Sequence, residues 1–487
     1  MKKSIHLIAD TLSRIINISF EMGRFPERLK YAKICPIYKN GAANEFSNYR
    51  PISVLPSFSK IFEKIVHERL YNYLMRCNIL SDAQYGFRSK HSAYMALIDM
   101  YDKVTKSIDD RQATLGVFID LQKAFDTVNF EILLKKLEHY GIRGMPLEWF
   151  NSYLTNRQQS VSLVGVLSKP SLVSCGVPQG SILGPLLFII YINDIVNCSK
   201  LIHFILYADD TTLLFHAENF DKLFEKVNCE LLHLSDWLRA NMLSLNVKKS
   251  NYILFGNRLP DIDLSSNKIL INDSSIEHVD VVKFLGVYID NKLTWKHHIS
   301  HLNLIISRLV GIMYKLRPKL ADRAMMSMYN ALILPHLMYG NIVWGCAGVT
   351  TLSRLVTLQK RSIRIITKSS FVAHTSPLFQ RLRLMKVVDI YKYQVLQFVY
   401  NSRFPSSERS KCSFFYRFTY SFSPSCYNIR LSKRVMHIPY FRTELRRSSI
   451  SCIGAILFNQ FHFFSDVPSL AMLKKQLKLH FILGYNN

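Results

Sequence analysis

The sequence predicts an α+β protein in which strands bring acidic residues to a common edge and a long helical stretch follows. Three observations carry this. Leu201–Phe215 (LIHFILYADDTTLLF) sets two apolar, β-branched and aromatic runs around Asp209-Asp210, the pattern of a β-hairpin with carboxylates at its turn. Val117-Phe118-Ile119-Asp120 is a buried-strand pattern that also ends in Asp, just before a helix. From Trp295 to Lys368 the periodicity is almost wholly helical, in runs near 295–316, 321–335 and 351–368. Taken alone, an Asp-Asp between strands is ordinarily a polar turn. The third carboxylate upstream changes that reading. Carboxylates that converge at one sheet edge repel one another unless a cation sits between them, and such hard oxygen donors suit Mg²⁺. Two such ions, about 3.5–4 Å apart, can stabilise the attacking and leaving oxygens of a phosphoryl transfer.

Along the chain, residues 1–30 read as helical. Ile34–Tyr38 is strand-like and ends at Lys39, a polar turn covers Asn40–Asn48, and Tyr49–Ser53 resumes an extended segment, as Pro51 favours. Lys39 and Arg50 thus share a hairpin, whose cations either clamp a triphosphate or form a solvated basic turn. Phe58, Ile61, Phe62, Ile65, Leu70 and Tyr73 give an amphipathic helix of about five turns. Gln84-Tyr85-Gly86-Phe87-Arg88 breaks the pattern before a helix from about Ala93 to Ile108. After Asp120 comes Phe125, ordinarily a core ring, then a helix with Asn129 as N-cap and Gly141 as its stop. Gly176–Pro185 (GVPQGSILGP) is too rich in Gly and Pro for regular structure. It either forms a plain loop or lets backbone approach a ligand beside Gln179, with Pro185 opening the next helix. Leu223, Val227, Leu231, Leu234, Leu238 and Met242 form a helix stripe, Asn246–Ser250 a loop, Tyr252–Phe255 a strand, and Lys283–Val287 the start of another hairpin.

A chain of 487 residues, nearly half of them hydrophobic, suggests two to four domains. The net charge of +27 favours a polyanionic partner, nucleic acid first and an acidic membrane surface second. Nine scattered Cys without a CxxC pair read as reduced thiols of an intracellular protein, and the gaps among Cys412, Cys426 and His437 do not match a zinc finger. Met1–Asp10 is interrupted by His6 and Asp10 and is not a signal peptide, and apolar runs such as Pro185–Ile192 are too short to span a membrane.

Seven blocks now stand in order: SNYRPISVLPSFSKIFEKIV (47–66), QYGFRSKHSA (84–93), VFIDLQKAFDTVN (117–129), GVPQGSILGPLLFIIYINDI (176–195), YADDTTLLF (207–215), LNVKKS (245–250) and KFLGVYID (283–290). Together they resemble the reverse transcriptase of non-LTR retrotransposons of the jockey/CR1-like kind, in register from about residue 20 to 290. The resemblance implies a right-hand polymerase, an RNA-directed DNA polymerase with fingers, a palm whose antiparallel sheet carries the aspartates, and a helical thumb. The implied division is a helical extension over 1–19, fingers and palm over 20–289, thumb over 290–370 and a basic, aromatic region over 371–487. The last is expected to bind nucleic acid.

By the same resemblance Asp120, Asp209 and Asp210 hold two Mg²⁺, with Mn²⁺ as a substitute, and Phe125 is the steric gate that rejects a ribose 2′-OH. Gln179 lies beside the incoming nucleotide, Lys39 and Arg50 meet the triphosphate, and Lys249 (or its neighbour Lys248) assists pyrophosphate departure. Phe284, Leu285 and Gly286 form the primer grip. Expected partners are an RNA template, a DNA primer or target and dNTPs, with no membrane. The expected site of action is the nucleus, with template binding in the cytoplasm. Elements of this kind usually encode an endonuclease before the polymerase, and nothing before residue 20 could hold one. A truncated, inactive RNA-binding remnant is therefore the alternative reading, and an RNA-making polymerase is disfavoured by Phe125.

Overall fold

The computed structural model describes residues 5–256, 267–272, 274–403, 413–416, 418, 435–461 and 467–486. Cys412 and Cys426 lie outside them. In chain order the elements are α1 (Ile5–Glu21), β1 (Tyr31–Tyr38), β2 (Tyr49–Val54), α2 (Ser57–Arg76), α3 (Ala93–Asp109), β3 (Ala113–Asp120), α4 (Phe130–His139), α5 (Met145–Leu154), β4 (Gln158–Leu163), β5 (Val166–Leu167), β6 (Ser171–Leu172) and α6 (Gly184–Tyr191). There follow β7 (His203–Tyr207), β8 (Asp210–Ala217), α7 (Phe220–Ala240), β9 (Asn251–Phe255), β10 (Leu270–Ile271), β11 (Ser274–Ser275), β12 (Glu277–His278), β13 (Val281–Phe284) and β14 (Val287–Asp290). The rest is helical: α8 (Lys296–Leu316), α9 (Asp322–Met328), α10 (Leu334–Met338), α11 (Asn341–Trp344), α12 (Val349–Ile366), α13 (Ser376–Arg381), α14 (Val387–Arg403), α15 (Ser413–Tyr416), α16 (Glu444–Arg447), α17 (Ile450–Gln460) and α18 (Leu470–Leu483).

A five-stranded sheet in the order β12-β9-β3-β8-β7 separates two cores. Its central strand β3 runs antiparallel to both neighbours and is buried along its whole length until Asp120. A strand covered on both faces has no polar side to show, hence its continuous apolar run. Successive Cβ atoms alternate, so Leu115, Val117 and Ile119 join the core built with α2, α4, α5, α6 and α7. Phe118 joins the other, built with α3, the β13–β14 hairpin and the C-terminal helices. Gly116 is a packing glycine, because a Cβ there would lie 3.0 Å from the Phe255 ring and 3.3 Å from Leu214. A second sheet runs β2-β1-β4-β5 with β6 on β4, and in it Ile37 faces Arg50 across the β1–β2 pair.

Most of the expected elements are present, several with the cap that the sequence named. Asn129 accepts a hydrogen bond from the Ile132 N–H at 3.1 Å, and Gly141 ends α4 in the left-handed region at φ +93°. The structure differs from the sequence reading, or adds to it, at three places. The first helix stops at Glu21, where Gly23 (φ +60°) and Pro26 turn the chain toward β1. Residues 145–172, unassigned from sequence, hold α5 and the small β4–β6 strands, whose exposed sides carry no periodic signal. The boundary expected at 370 falls inside one continuous core, in which Ile363, Ile365 and Ile366 pack in the same cluster as Phe379, Val387, Ile390, Val395 and residues of α17 and α18. Among the described residues the cysteines are free thiols, and no helix is long and apolar enough to cross a membrane.

Candidate active site

Strand register brings the three carboxylates together. Asp120, the last residue of β3, stands opposite Asp210, the first of β8. Tyr207 and Asp210 close the β7–β8 hairpin, leaving Ala208-Asp209 as a two-residue turn. Such tight turns need a residue with positive φ, and Ala208 supplies it at φ +56°. The hairpin therefore presents Asp209 at its tip and Asp210 one step inside.

The electrostatics follow from that crowding. Loss of hydration raises the Asp209 carboxyl above its ordinary value and Asp120 adds to the effect, while Arg50 and Lys39 pull it back. For Asp210, loss of hydration followed by repulsion from Asp209 and Asp120 pushes the carboxyl up to about 6, against the pull of Lys39. Lys39 and Arg50, both carried by the β1–β2 hairpin of the other sheet, thus act on the Asp209 charge, and Lys39 on Asp210 as well. Lys39 lies just past β1, its N–H bonded to the Asn48 carbonyl at 2.9 Å, and Arg50 is held within β2.

Asp120 is fixed from the loop before β9. The Asn246 N–H donates to its carbonyl at 2.8 Å, Asn246 Nδ2 donates to its Oδ2 at 3.1 Å, and its own N–H donates to Ser250 Oγ at 3.2 Å. Lys249 Nζ stands 4.0 Å from Asp120 Oδ2, so of the two adjacent lysines it is Lys249 that has this ion pair.

Phe125 lies in the turn between β3 and α4. Its ring stacks on Phe188 of α6, centroids 4.5 Å apart, and meets Phe87 edge-on at 6.2 Å. The glycine-rich loop hooks onto this turn through Gly176 N–H to Val128 O and Val177 N–H to Phe125 O, both 2.8 Å. Gln179 Nε2 donates to Asp126 Oδ1 at 2.9 Å, and its carbonyl accepts from the Ser53 N–H of β2 at 2.7 Å. Burial raises the Asp126 carboxyl, and the Gln179 bond opposes it. One loop thereby ties β2 of the second sheet to the Phe125 turn.

Phe284, Leu285 and Gly286 sit on a separate hairpin. Phe284 is buried against Phe118, centroids 5.7 Å apart, and Phe118 lies two residues before Asp120. Leu285 and Gly286 make the β13–β14 turn at φ +46° and +80°, and Tyr339 donates its hydroxyl to the Leu285 carbonyl at 2.6 Å. The sequence reading did not single out Asn246, Ser250, Asp126, Gln84 or Phe87. The four polar residues show no periodicity, Asn246 and Ser250 meet Asp120 across 126 and 130 residues, and a single Phe87 in an irregular segment gives no pattern either.

A largely antiparallel sheet whose edge gathers three carboxylates, with cations brought from the β1–β2 hairpin of a second sheet, defines a palm-type nucleic-acid polymerase fold. The chain belongs to the reverse transcriptase (RNA-dependent DNA polymerase) family, whose profile matches residues 37–289. It is 29% identical over 394 residues to the probable RNA-directed DNA polymerase from transposon BS of Drosophila melanogaster, covering 77% of this chain and 42% of that one. It is 28% identical over 405 residues to the RNA-directed DNA polymerase from mobile element jockey of the same fly, covering 80% and 43%. The chain therefore spans about two fifths of the length of these curated relatives. Apo telomerase from Candida tropicalis is similar with a TM-score of 0.41 and 12% identity, over 84% of this chain and 74% of that one.

Proposed function

We propose that this chain is the RNA-directed DNA polymerase of a non-LTR retrotransposon, adding dNTPs to a primer 3′-OH by two-metal phosphoryl transfer. The observation that carries the reading is the meeting of Asp120, Asp209 and Asp210 at one sheet edge, with Lys39 acting on the charge of Asp209 and Asp210 and Arg50 on that of Asp209. The donor set is all carboxylate oxygen, and the raised Asp209 and Asp210 carboxyls mark a negative charge that a hard divalent cation would relieve. These three residues would hold Mg²⁺ or Mn²⁺, which would supply positive charge beside the transferred phosphate and the primer oxygen.

The chain's own groups do the rest. The primer 3′-OH gives up its proton to water, its oxygen bonds to the α-phosphorus as the bond from that phosphorus to the α–β bridging oxygen breaks, and pyrophosphate leaves with the bridging oxygen. Such a step is accelerated mainly by positioning and electrostatics. Lys39 and Arg50 hold the triphosphate, and Lys249 neutralises the departing pyrophosphate. Phe125 blocks a 2′-OH, Gln179 flanks the incoming base pair with its amide oriented by Asp126, and the Leu285-Gly286 turn bears on the primer. Fingers and palm occupy 20–289, and the thumb begins at 290. Base pairing selects the nucleotide, while the +27 chain grips the hybrid through backbone and shape.

Purified protein is expected to extend a DNA primer on an RNA template with dNTPs and Mg²⁺ at low salt, and Asp209→Asn to remove that activity. Folded protein that binds the template yet incorporates nothing defeats the proposal.

A further inference from the structure

The Gln84–Arg88 segment, which breaks the helical pattern between α2 and α3, is locked onto the acidic hairpin. Tyr85 N–H donates to Leu206 O at 2.8 Å and Leu206 N–H to Ala83 O at 2.9 Å, so residues 83–85 run alongside β7. Gln84 Oε1 then accepts two backbone N–H groups, Gly86 at 2.7 Å and Ala208 at 3.1 Å. Ala208 is the left-handed residue immediately before Asp209. Gly86 lies so close to it that a Cβ would come within 2.3 Å of the Ala208 nitrogen. Arg88 fastens the far end, its guanidinium donating to Ser81 O at 2.5 Å.

Phe87 is the one residue of this segment turned to solvent. It is 49% exposed, and its backbone is left-handed at φ +53°. Neither suits a large aromatic residue: positive φ is a genuine outlier for a bulky side chain, and an outlier of this sort motivates a search for function. The ring's partner is Phe125, met edge-on with the planes at 84°. Phe188 stacks nearly parallel to Phe125, at 25°. A stacked neighbour opposes movement along the ring normal but leaves the ring free to slide in its own plane. A second neighbour set perpendicular to the ring, 6.2 Å away, adds a contact that the stack does not make and limits how far the ring can shift.

We propose that Phe87 is a positioning residue for sugar selection, a prop that holds the Phe125 ring at a fixed offset from the Asp209 turn, on which the 84–88 segment is itself locked. Gln84 and Gly86 set that offset and Phe87 transmits it. The inference rests on the polymerase reading and deepens it by adding a second residue to the gate.

The test is single-nucleotide incorporation by the full chain on an RNA template and DNA primer, comparing kcat/KM for a dNTP and its matching rNTP. Phe87→Gly removes the ring while keeping a residue for which positive φ carries no penalty, and Phe87→Tyr keeps the ring. An edge-to-face pair of ordinary strength corresponds to a roughly 2- to 12-fold effect. The expected result is a fall of that size in dNTP/rNTP selectivity for Phe87→Gly, produced by a rise in rNTP kcat/KM, with Phe87→Tyr close to wild type. General damage to the fold would instead lower both substrates. The inference is overturned if Phe87→Gly keeps the wild-type ratio, or if both substrates fall together. A wild-type chain that incorporates dNTPs but not rNTPs, with Phe87→Gly equally strict, defeats the prop while leaving the polymerase intact. A wild-type chain that incorporates neither overturns both.

Discussion

Asp210 is pushed up to about 6 by lost hydration and by its two acidic neighbours, so without a cation it is held ionised at neutral pH at a cost to the fold. The direction of the resulting pH dependence is fixed. A carboxyl whose folded value exceeds its ordinary 3.8 binds its proton more tightly in the native state. Its contribution is then fully favourable below about 4 and is lost as pH rises through about 6. Asp210→Asn removes that loss. In EDTA at pH 7.5 the variant is expected to melt at a higher temperature than wild type, with the gain shrinking toward pH 4.5. Thermal melts at the two pH values check this, and an Asn variant that melts lower at pH 7.5 contradicts it. Mg²⁺ should raise the wild-type midpoint more than that of the variant. The same crowding explains what could be read in advance. The carboxylates were legible because adjacent strand ends converge, and an Asp at each end is visible in one dimension. Asn246 and Ser250, which hold Asp120 in place, were not. A polar side chain whose partner lies 126 or 130 residues away leaves no local trace.

Among the elements, the glycine-rich loop joins the Phe125 turn to β2. Gly176 adopts φ +90°, and a Cβ on it would lie 2.7 Å from the Asp126 carbonyl oxygen, a backbone atom that cannot swing aside. Gly176→Ala is therefore expected to cost roughly 1–3 kcal/mol of stability. It should also separate Gln179 from Asp126, raising KM for the dNTP more than it lowers kcat. Steady-state kinetics with a denaturant melt measure both, and an unchanged KM would show that the hook does not position Gln179. The loop's irregularity was evident from its Gly and Pro content, and so was the helix that Pro185 opens. Its docking partner was not. Turn chemistry states that a backbone departs from regular structure, and tertiary packing alone decides what it touches. For the same reason α4 and its caps were legible, whereas the small β4–β6 strands, lacking a buried face of their own, were not.

For the whole molecule, the decisive question is whether the residues after 370 are an appendage or part of the body. Their aromatic residues suggested surfaces for nucleic acid, yet Phe379, Phe398 and Phe414 are buried, with Phe398 and Phe414 packed edge to face, centroids 6.0 Å apart. Composition counts rings without saying which way they face. The same region grips the palm through α3. Arg446, largely buried, donates to Asp102 Oδ1 at 2.9 Å, and Ser451 Oγ bonds to that oxygen at 2.6 Å. The Arg442 and Thr443 N–H groups close on Asp109, whose carboxyl is lowered by hydrogen bonds from Thr443 and Arg442 that outweigh its partial burial. Tyr101 reaches Ser448 at 2.7 Å. Removing one partner of a largely buried ion pair leaves the other charge uncompensated, so Arg446→Ala is expected to destabilise the chain by about 3 kcal/mol. A chain ending at residue 370 loses far more, because it strips α14, α17 and α18 from a core that continues under α3 and α8. Expressed alone, residues 1–370 should aggregate or bind a hydrophobic dye strongly, and unfold without a cooperative transition. A soluble fragment with a sharp melt and full primer extension would show instead that the C-terminal helices are an appendage. The Arg446→Ala melt separates the two cases, since a separable appendage could lose that ion pair while the polymerase body kept its own midpoint.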